Sequence, residues 1–303
     1  MQKALIISLS IIFFGTIDPT FAQQSKDPAC EELTNAADYY CKNKFRKTVK
    51  TLEGFVKGHP GHELFEEALY GIGKAHKKRG KRKKAEKAYR QLIGITDYPE
   101  KETLYDYSRC MYLSNGCNGI LQPKRLLELQ HEACKDMAEM AMLDKDFKNA
   151  HNYIHKAENY YRYWYGCGTG DMENDLMLAL LYAEMYGASG KMDSAIAAML
   201  PHALEASAMP IKHYPILRDK LVMLLQTEYP DQLLKDEMES ALEHLYFETF
   251  KEHHGEGRTY FIKMFGIPIK VAPEYLFNKT KDLNKVRDYI RKSVFYKNLT
   301  KSG

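Results

Sequence analysis

A small residue recurs four times along the chain at a fixed offset from a second one. Ala36, Gly73, Ala138 and Ala183 are followed twelve positions later by Thr48, Ala85, Ala150 and Ala195, and four positions after that by Leu52, Tyr89, Ile154 and Met199. Between the members of each pair stand Asn43, Gly80, Lys145 and Gly190. Two small residues with a turn position between them predict two short helices folded back on each other. Small side chains let the helix axes approach, and the turn residue ends the first helix. The bulky residue one turn further on then fills the space toward the next unit. A bulky apolar residue also stands two positions past the turn as Phe45, Phe147 and Met192, with Arg82 in its place in the second unit. Pro60 and Pro210 close two of the units.

The pattern is clearest over residues 68–98, where it reads Leu69-x2-Ile72-Gly73-x2-His76, then Gly80, then Ala85-x3-Tyr89, with Pro99 soon after. This resembles the tetratricopeptide repeat, a helix–turn–helix unit of about 34 residues. Four such units in register cover residues 29–210. The family's first-helix tryptophan is replaced in all four, by Glu32, Leu69, Cys134 and Ala179. The resemblance implies an all-α, right-handed solenoid of helical hairpins with a groove lined by the first helices. The interval from Gly73 to Ala138 suggests a degenerate fifth unit, with helices near 103–113 and 124–130. The longer interval from Ala138 to Ala183 suggests a Gly-rich loop inserted at 165–175.

Residues 211–303 read as a helical extension that covers the open end of the solenoid. Apolar spacing predicts helices over 214–228, 231–250 and 282–296. The aromatic and β-branched run at 259–271, broken by Gly266 and Pro268, reads as an extended hairpin or strand-like arm.

Residues 1–22 carry the pattern of a secretory signal peptide. Lys3 supplies the positive end, residues 4–14 form a short apolar run, and Thr20 and Ala22 provide small residues before a cleavage point at Gln23. The expected localisation is therefore exported, periplasmic or secreted, with no transmembrane span after signal cleavage. Export makes disulfides plausible for the six cysteines Cys30, Cys41, Cys110, Cys117, Cys134 and Cys167. Cys30 and Cys41 fall on one predicted helix about 16 Å apart, out of reach of each other. Cys110 and Cys117 are the nearest local pair, and buried free thiols are the alternative. No spacing matches a metal or redox motif.

The chain's charge is mild at +4, so only local clustering points to a partner. Nine Lys or Arg lie between Lys74 and Lys87. The resemblance places Tyr40, Tyr70, Lys74, Lys77 and Lys78 on the groove side, with Arg79, Lys81, Arg82, Lys83 and Lys84 at the turn and the start of the second helix. Such a cluster suits an acidic protein or peptide partner or an envelope polyanion; it also reads as a solvated helix face. Tyr161 and Trp164, in a tyrosine-rich stretch beside the 165–175 segment, suit stacking on a glycan or packing between repeats. His151 and His155 share one helix face, but no third ligand stands at metal-site spacing. No nucleophile elbow, phosphate loop or committed carboxylate pair is present. The sequence thus predicts a non-catalytic binding scaffold for a protein or peptide, with no cofactor, no metal and no nucleic acid; glycan or anionic-polymer recognition is the alternative.

Overall fold

The computed structural model describes residues 28–96, 126–163, 168–204, 211–252, 255–271 and 281–301. The expectations on residues 1–22, on a helix near 103–113, and on Cys110, Cys117, Cys167 and Trp164 lie outside the described residues. Eight helices form four hairpins: α1 (Pro28–Cys41) with α2 (Phe45–Gly58), α3 (Phe65–Lys78) with α4 (Arg82–Ile93), α5 (Leu126–Leu143) with α6 (Phe147–Asn159), and α7 (Gly168–Ala188) with α8 (Met192–Met199). The stack continues through contacts of α2 with α3, α4 with α5 and α6 with α7, while α3 lies along α5 and α5 along α7. This is a helical-hairpin solenoid.

The four turns are built alike. Asn43, Gly80, Lys145 and Gly190 all take left-handed backbone, with φ of 55°, 67°, 58° and 76°. In each turn the next N–H reaches back five residues: Lys44 to Tyr39, Lys81 to His76, Asp146 to Ala141 and Lys191 to Tyr186, at 2.7–3.0 Å. This is the Schellman arrangement, which satisfies carbonyls that the helix end would leave open. The following residues, Phe45, Arg82, Phe147 and Met192, each start the second helix.

The paired small residues and the bulky residues after them are all buried. Gly73 shows why the first position varies between Gly and Ala. A Cβ placed there would lie 2.2 Å from Cε1 of Tyr89. The other units carry Ala opposite Leu52, Ile154 or Met199, so the largest partner takes the smallest residue.

Several boundaries differ from the sequence reading. The 124–130 stretch is not a separate helix, because α5 already begins at Leu126. α4 packs on α5, so the second and third hairpins are in contact; the expected degenerate unit rests on residues 97–125, outside the described residues. The expected loop at 165–175 is largely helix, since α7 starts at Gly168. Its 21 residues absorb the extra length of that unit. This helix is apolar nearly all round because it is buried on two sides. Leu178, Leu181 and Met185 join the core of the preceding units, and Leu176, Ala179, Leu180 and Ala183 join the C-terminal core.

α9 (His213–Glu228) packs on α7 and α8 and so covers the end of the stack. The backbone N–H of His213 donates to Glu173 Oε2 at 3.3 Å. α10 (Asp231–Glu243) ends earlier than expected, and the sequence after it forms a strand. β1 (Tyr246–Glu252), β2 (Gly255–Met264) and β3 (Ile267–Val271) make one antiparallel sheet in that order. Tyr260, Ile262 and Met264 alternate into the core with Ile269 and Val271. The expected single final helix is two, α11 (Leu283–Lys292) and α12 (Val294–Thr300). Extended Ser293 breaks it, and its side chain accepts from the Tyr296 N–H. No helix among the described residues is long and apolar enough to cross a membrane.

Gly73→Ala should destabilise the protein by about 1–3 kcal/mol through overpacking against Tyr89. Gly54→Ala, on an exposed helix position with nothing within 4 Å, should stabilise it by about 0.5–1 kcal/mol. Denaturant melts of both variants measure the difference; a neutral Gly73→Ala would contradict the close approach described.

Candidate functional site

The inner face of α3 meets the inner face of α5, and the sequence there brings opposite charges together. Lys74 and Lys77 lie on α3 one turn apart or less, so both Nζ atoms reach the same side. Facing them is Asp136 of α5, buried with 6% exposure. Lys77 Nζ donates to Asp136 Oδ1 at 2.5 Å, and Lys74 Nζ lies 3.4 Å from Oδ2. The Tyr89 hydroxyl donates to Oδ2 at 2.6 Å. Lys77 also bonds Glu139. Because Gly73 has no side chain, the Tyr89 ring can lie against α3 with its hydroxyl next to Asp136.

Electrostatics decide the protonation of this cluster. Burial pushes the Asp136 carboxyl up, but Lys74, Lys77 and the bonds from Lys77 and Tyr89 outweigh it, and the group sits below the ordinary carboxylate range. Burial pulls Lys77 down, and Asp136 and Glu139 more than restore it, so its ammonium is held above the usual lysine value. Tyr40 and Tyr70 are raised by burial and then by Asp136. Lys74 Nζ stands 5.5 Å above the Tyr70 ring. At neutral pH the cluster is thus an ion pair network sealed by neutral phenols.

The structure therefore brings Tyr40, Tyr70, Lys74 and Lys77 together around a carboxylate that the sequence reading did not single out. Two groove cations are neutralised within the fold. Asp136 stands two residues before Ala138, where the other units have Thr34, Gly71 and Leu181. A carboxylate at a position otherwise apolar or small was the available signal. Lys78, Arg79 and Lys81 occupy a different place, on the turn between α3 and α4. Lys78, Lys81, Lys83, Lys84 and Lys87 are exposed and Arg79 half-buried. None of these six forms an ion pair among the described residues, whereas Arg82 pairs with Asp144 at the end of α5.

Tyr161 lies elsewhere again. It is half-buried, its hydroxyl donates to the Ile93 carbonyl at 3.4 Å, and its own carbonyl contacts His131 Nδ1 at 3.0 Å. His131 also meets the Ala157 carbonyl at 2.9 Å and Asn174 Oδ1 at 2.7 Å. Burial lowers its pKa. The neighbouring Gln130 amide donates to the carbonyls of Leu92 and Ile95 at 3.2 and 2.8 Å. Consecutive residues of α5 thus cap the ends of α4 and α6. Cys134 is buried as a free thiol, pushed up to about 12 by that burial, and is chemically quiet. His151 and His155 stack at 6.4 Å beside Tyr182 and Tyr186. No group of three or more His, Cys, Asp or Glu among the described residues could hold a metal ion.

A carboxyl with a depressed folded pKa stabilises above its unfolded value and loses that contribution as pH falls through the folded value. Asp136→Ala should cost about 3–5 kcal/mol, because it strands Lys77 and Tyr89. The stability gap between wild type and Asp136→Asn should narrow as pH drops below about 4. Denaturant melts from pH 7 to about pH 2 read this out, and a gap independent of pH would contradict it.

A tetratricopeptide-repeat family model matches residues 67–99, the span that contains α3 and α4. No curated protein and no solved structure matches the chain. Proteins of this family generally act as non-catalytic scaffolds for protein–protein interaction. The second hairpin of this chain is thus matched as a tetratricopeptide repeat, and the hairpins around it share its turn geometry.

Proposed function

We propose that this protein is an exported, non-catalytic scaffold that binds an acidic segment of a protein partner on the ridge formed by Lys78, Arg79, Lys81, Lys83, Lys84 and Lys87. The observation that carries the reading is the contrast across one hairpin. Lys74, Lys77 and Arg82 each have a carboxylate, and the ridge residues have none among the described residues. The ridge also lacks a local reason in helix stability. α4 opens on Arg82, Lys83 and Lys84 with no acidic residue in its first turn, although a helix N-terminus favours negative charge. Residues that break a local rule without a compensating contact point to a partner.

Export is proposed from the signal-peptide pattern of residues 1–22, and disulfides between the cysteines would follow from it. Cys30 and Cys41 stand at opposite ends of α1, too far apart to bond to each other, so in an exported protein each would pair with another cysteine. Such bonds persist in oxidising compartments.

The test is affinity capture from an envelope extract with wild type and with the triple variant Lys78→Glu, Arg79→Glu, Lys81→Glu. Wild type should recover one stoichiometric protein that the variant loses, with melting unchanged because these side chains hold no internal bond. Equal recovery by both would overturn the ridge, and retention of oligosaccharide in place of protein would favour the glycan reading. For export, N-terminal sequencing should find the mature chain starting near Gln23. Non-reducing peptide mapping should link Cys30 and Cys41 to other cysteines while Cys134 alkylates as a thiol; full alkylation of every cysteine without reductant would contradict this.

A further inference from the structure

The two edges of the β-sheet are treated differently. β3 carries Pro268 and packs against the short 3-10 turn Leu200–His202. Both are ordinary ways to stop another strand adding there. β1 has neither protection among the described residues. Its seven residues pair with β2 without a bulge, and among the described residues its other edge is paired to no strand. It contributes nothing to the buried core, whereas β2 and β3 do. Residues 246–249 are exposed on both faces of the strand, and Tyr246 and Phe247 are 37% and 43% exposed. A strand with the sequence YFETFKE that covers no core and leaves aromatics in water is an incomplete surface.

We propose that β1 is the contact through which two copies of this chain associate, as antiparallel neighbours in a continuous six-stranded sheet. The register follows from symmetry. Two identical antiparallel strands related by a two-fold axis must place one residue opposite itself. Centring on Thr249 sets Thr249 against Thr249, Phe247 against Lys251 and Glu248 against Phe250, with no like charges opposed. Shifting the centre to Glu248 opposes two glutamates, and shifting it to Phe250 opposes Glu248 to Glu252. Like charges directly opposite destabilise a strand pair, and Thr–Thr pairs stabilise it. The Thr249-centred register also leaves Phe247 beneath Arg258, whose guanidinium already stands 5.4 Å over that ring. The contact thus spans the whole strand only in this register.

Analytical ultracentrifugation of the purified full chain should show a dimer that Thr249→Pro weakens at least about tenfold, since each copy then loses a ladder donor. Because β1 builds no core, the melting temperature of the Thr249→Pro monomer should match that of wild-type monomer. Under oxidation Thr249→Cys should crosslink to a second copy, and Glu248→Cys should not. A wild-type chain that stays monomeric to about 100 µM would overturn the proposal, even if the edge accepts a strand from another protein. A dimer unaffected by Thr249→Pro would overturn it as well.

Discussion

Everything in the repeat region depends on one backbone event, the left-handed residue that ends each first helix. Asn43, Gly80, Lys145 and Gly190 reverse the chain in the same geometry, so the second helix always starts two residues later. Once that step is fixed, a residue seven positions before the turn and one five positions after it must face each other. Those positions hold the small residues, and their burial lets the helices of a hairpin lie close. Lys145 adopts the same conformation at a cost that glycine would avoid, which indicates how strongly the surrounding hairpin imposes it.

The same frame explains the inner face. With Gly73 stripped of a side chain, the Tyr89 ring packs against α3 and its hydroxyl meets Asp136 on the following hairpin. Asp136 in turn holds Lys74 and Lys77, so one carboxylate ties the second unit to the third. Gln130 and His131, on the same helix, close the open ends of α4 and α6. α5 is therefore the joint of the molecule. The positive charge of residues 74–87 divides in two: a part spent on internal cohesion and a part left on the turn.

How much of this was legible in the sequence follows from the range of each interaction. The four hairpins were legible because their determinants lie within sixteen residues of one another. The start of α7 was hidden because Gly168 and Gly170 signal a loop, while the contacts that hold the helix lie further along it, where Leu176 to Met185 pack against two cores. β1 was hidden because Tyr246, Phe247 and Phe250 fit a helical stripe as well as a strand; pairing with β2 decides it. The break at Ser293 left no strong signal, since a serine cap inside an apolar repeat also reads as an ordinary helix residue. Among the residues proposed for binding, the identity of the inner-face set was legible, but its neutralisation by Asp136 was not. That contact joins residues 59 positions apart.

The division of the basic cluster into an internal part and a free part is the central claim, and lysine reactivity measures it directly. Brief acylation of the native protein at neutral pH, read by mass spectrometry, compares amines under one condition. Lys77, whose ammonium is held by Asp136 and Glu139, should label far more slowly than Lys78 and Lys81, and should gain reactivity in Asp136→Ala, where Glu139 alone holds it. Equal labelling of Lys77, Lys78 and Lys81 in the native protein would contradict the account.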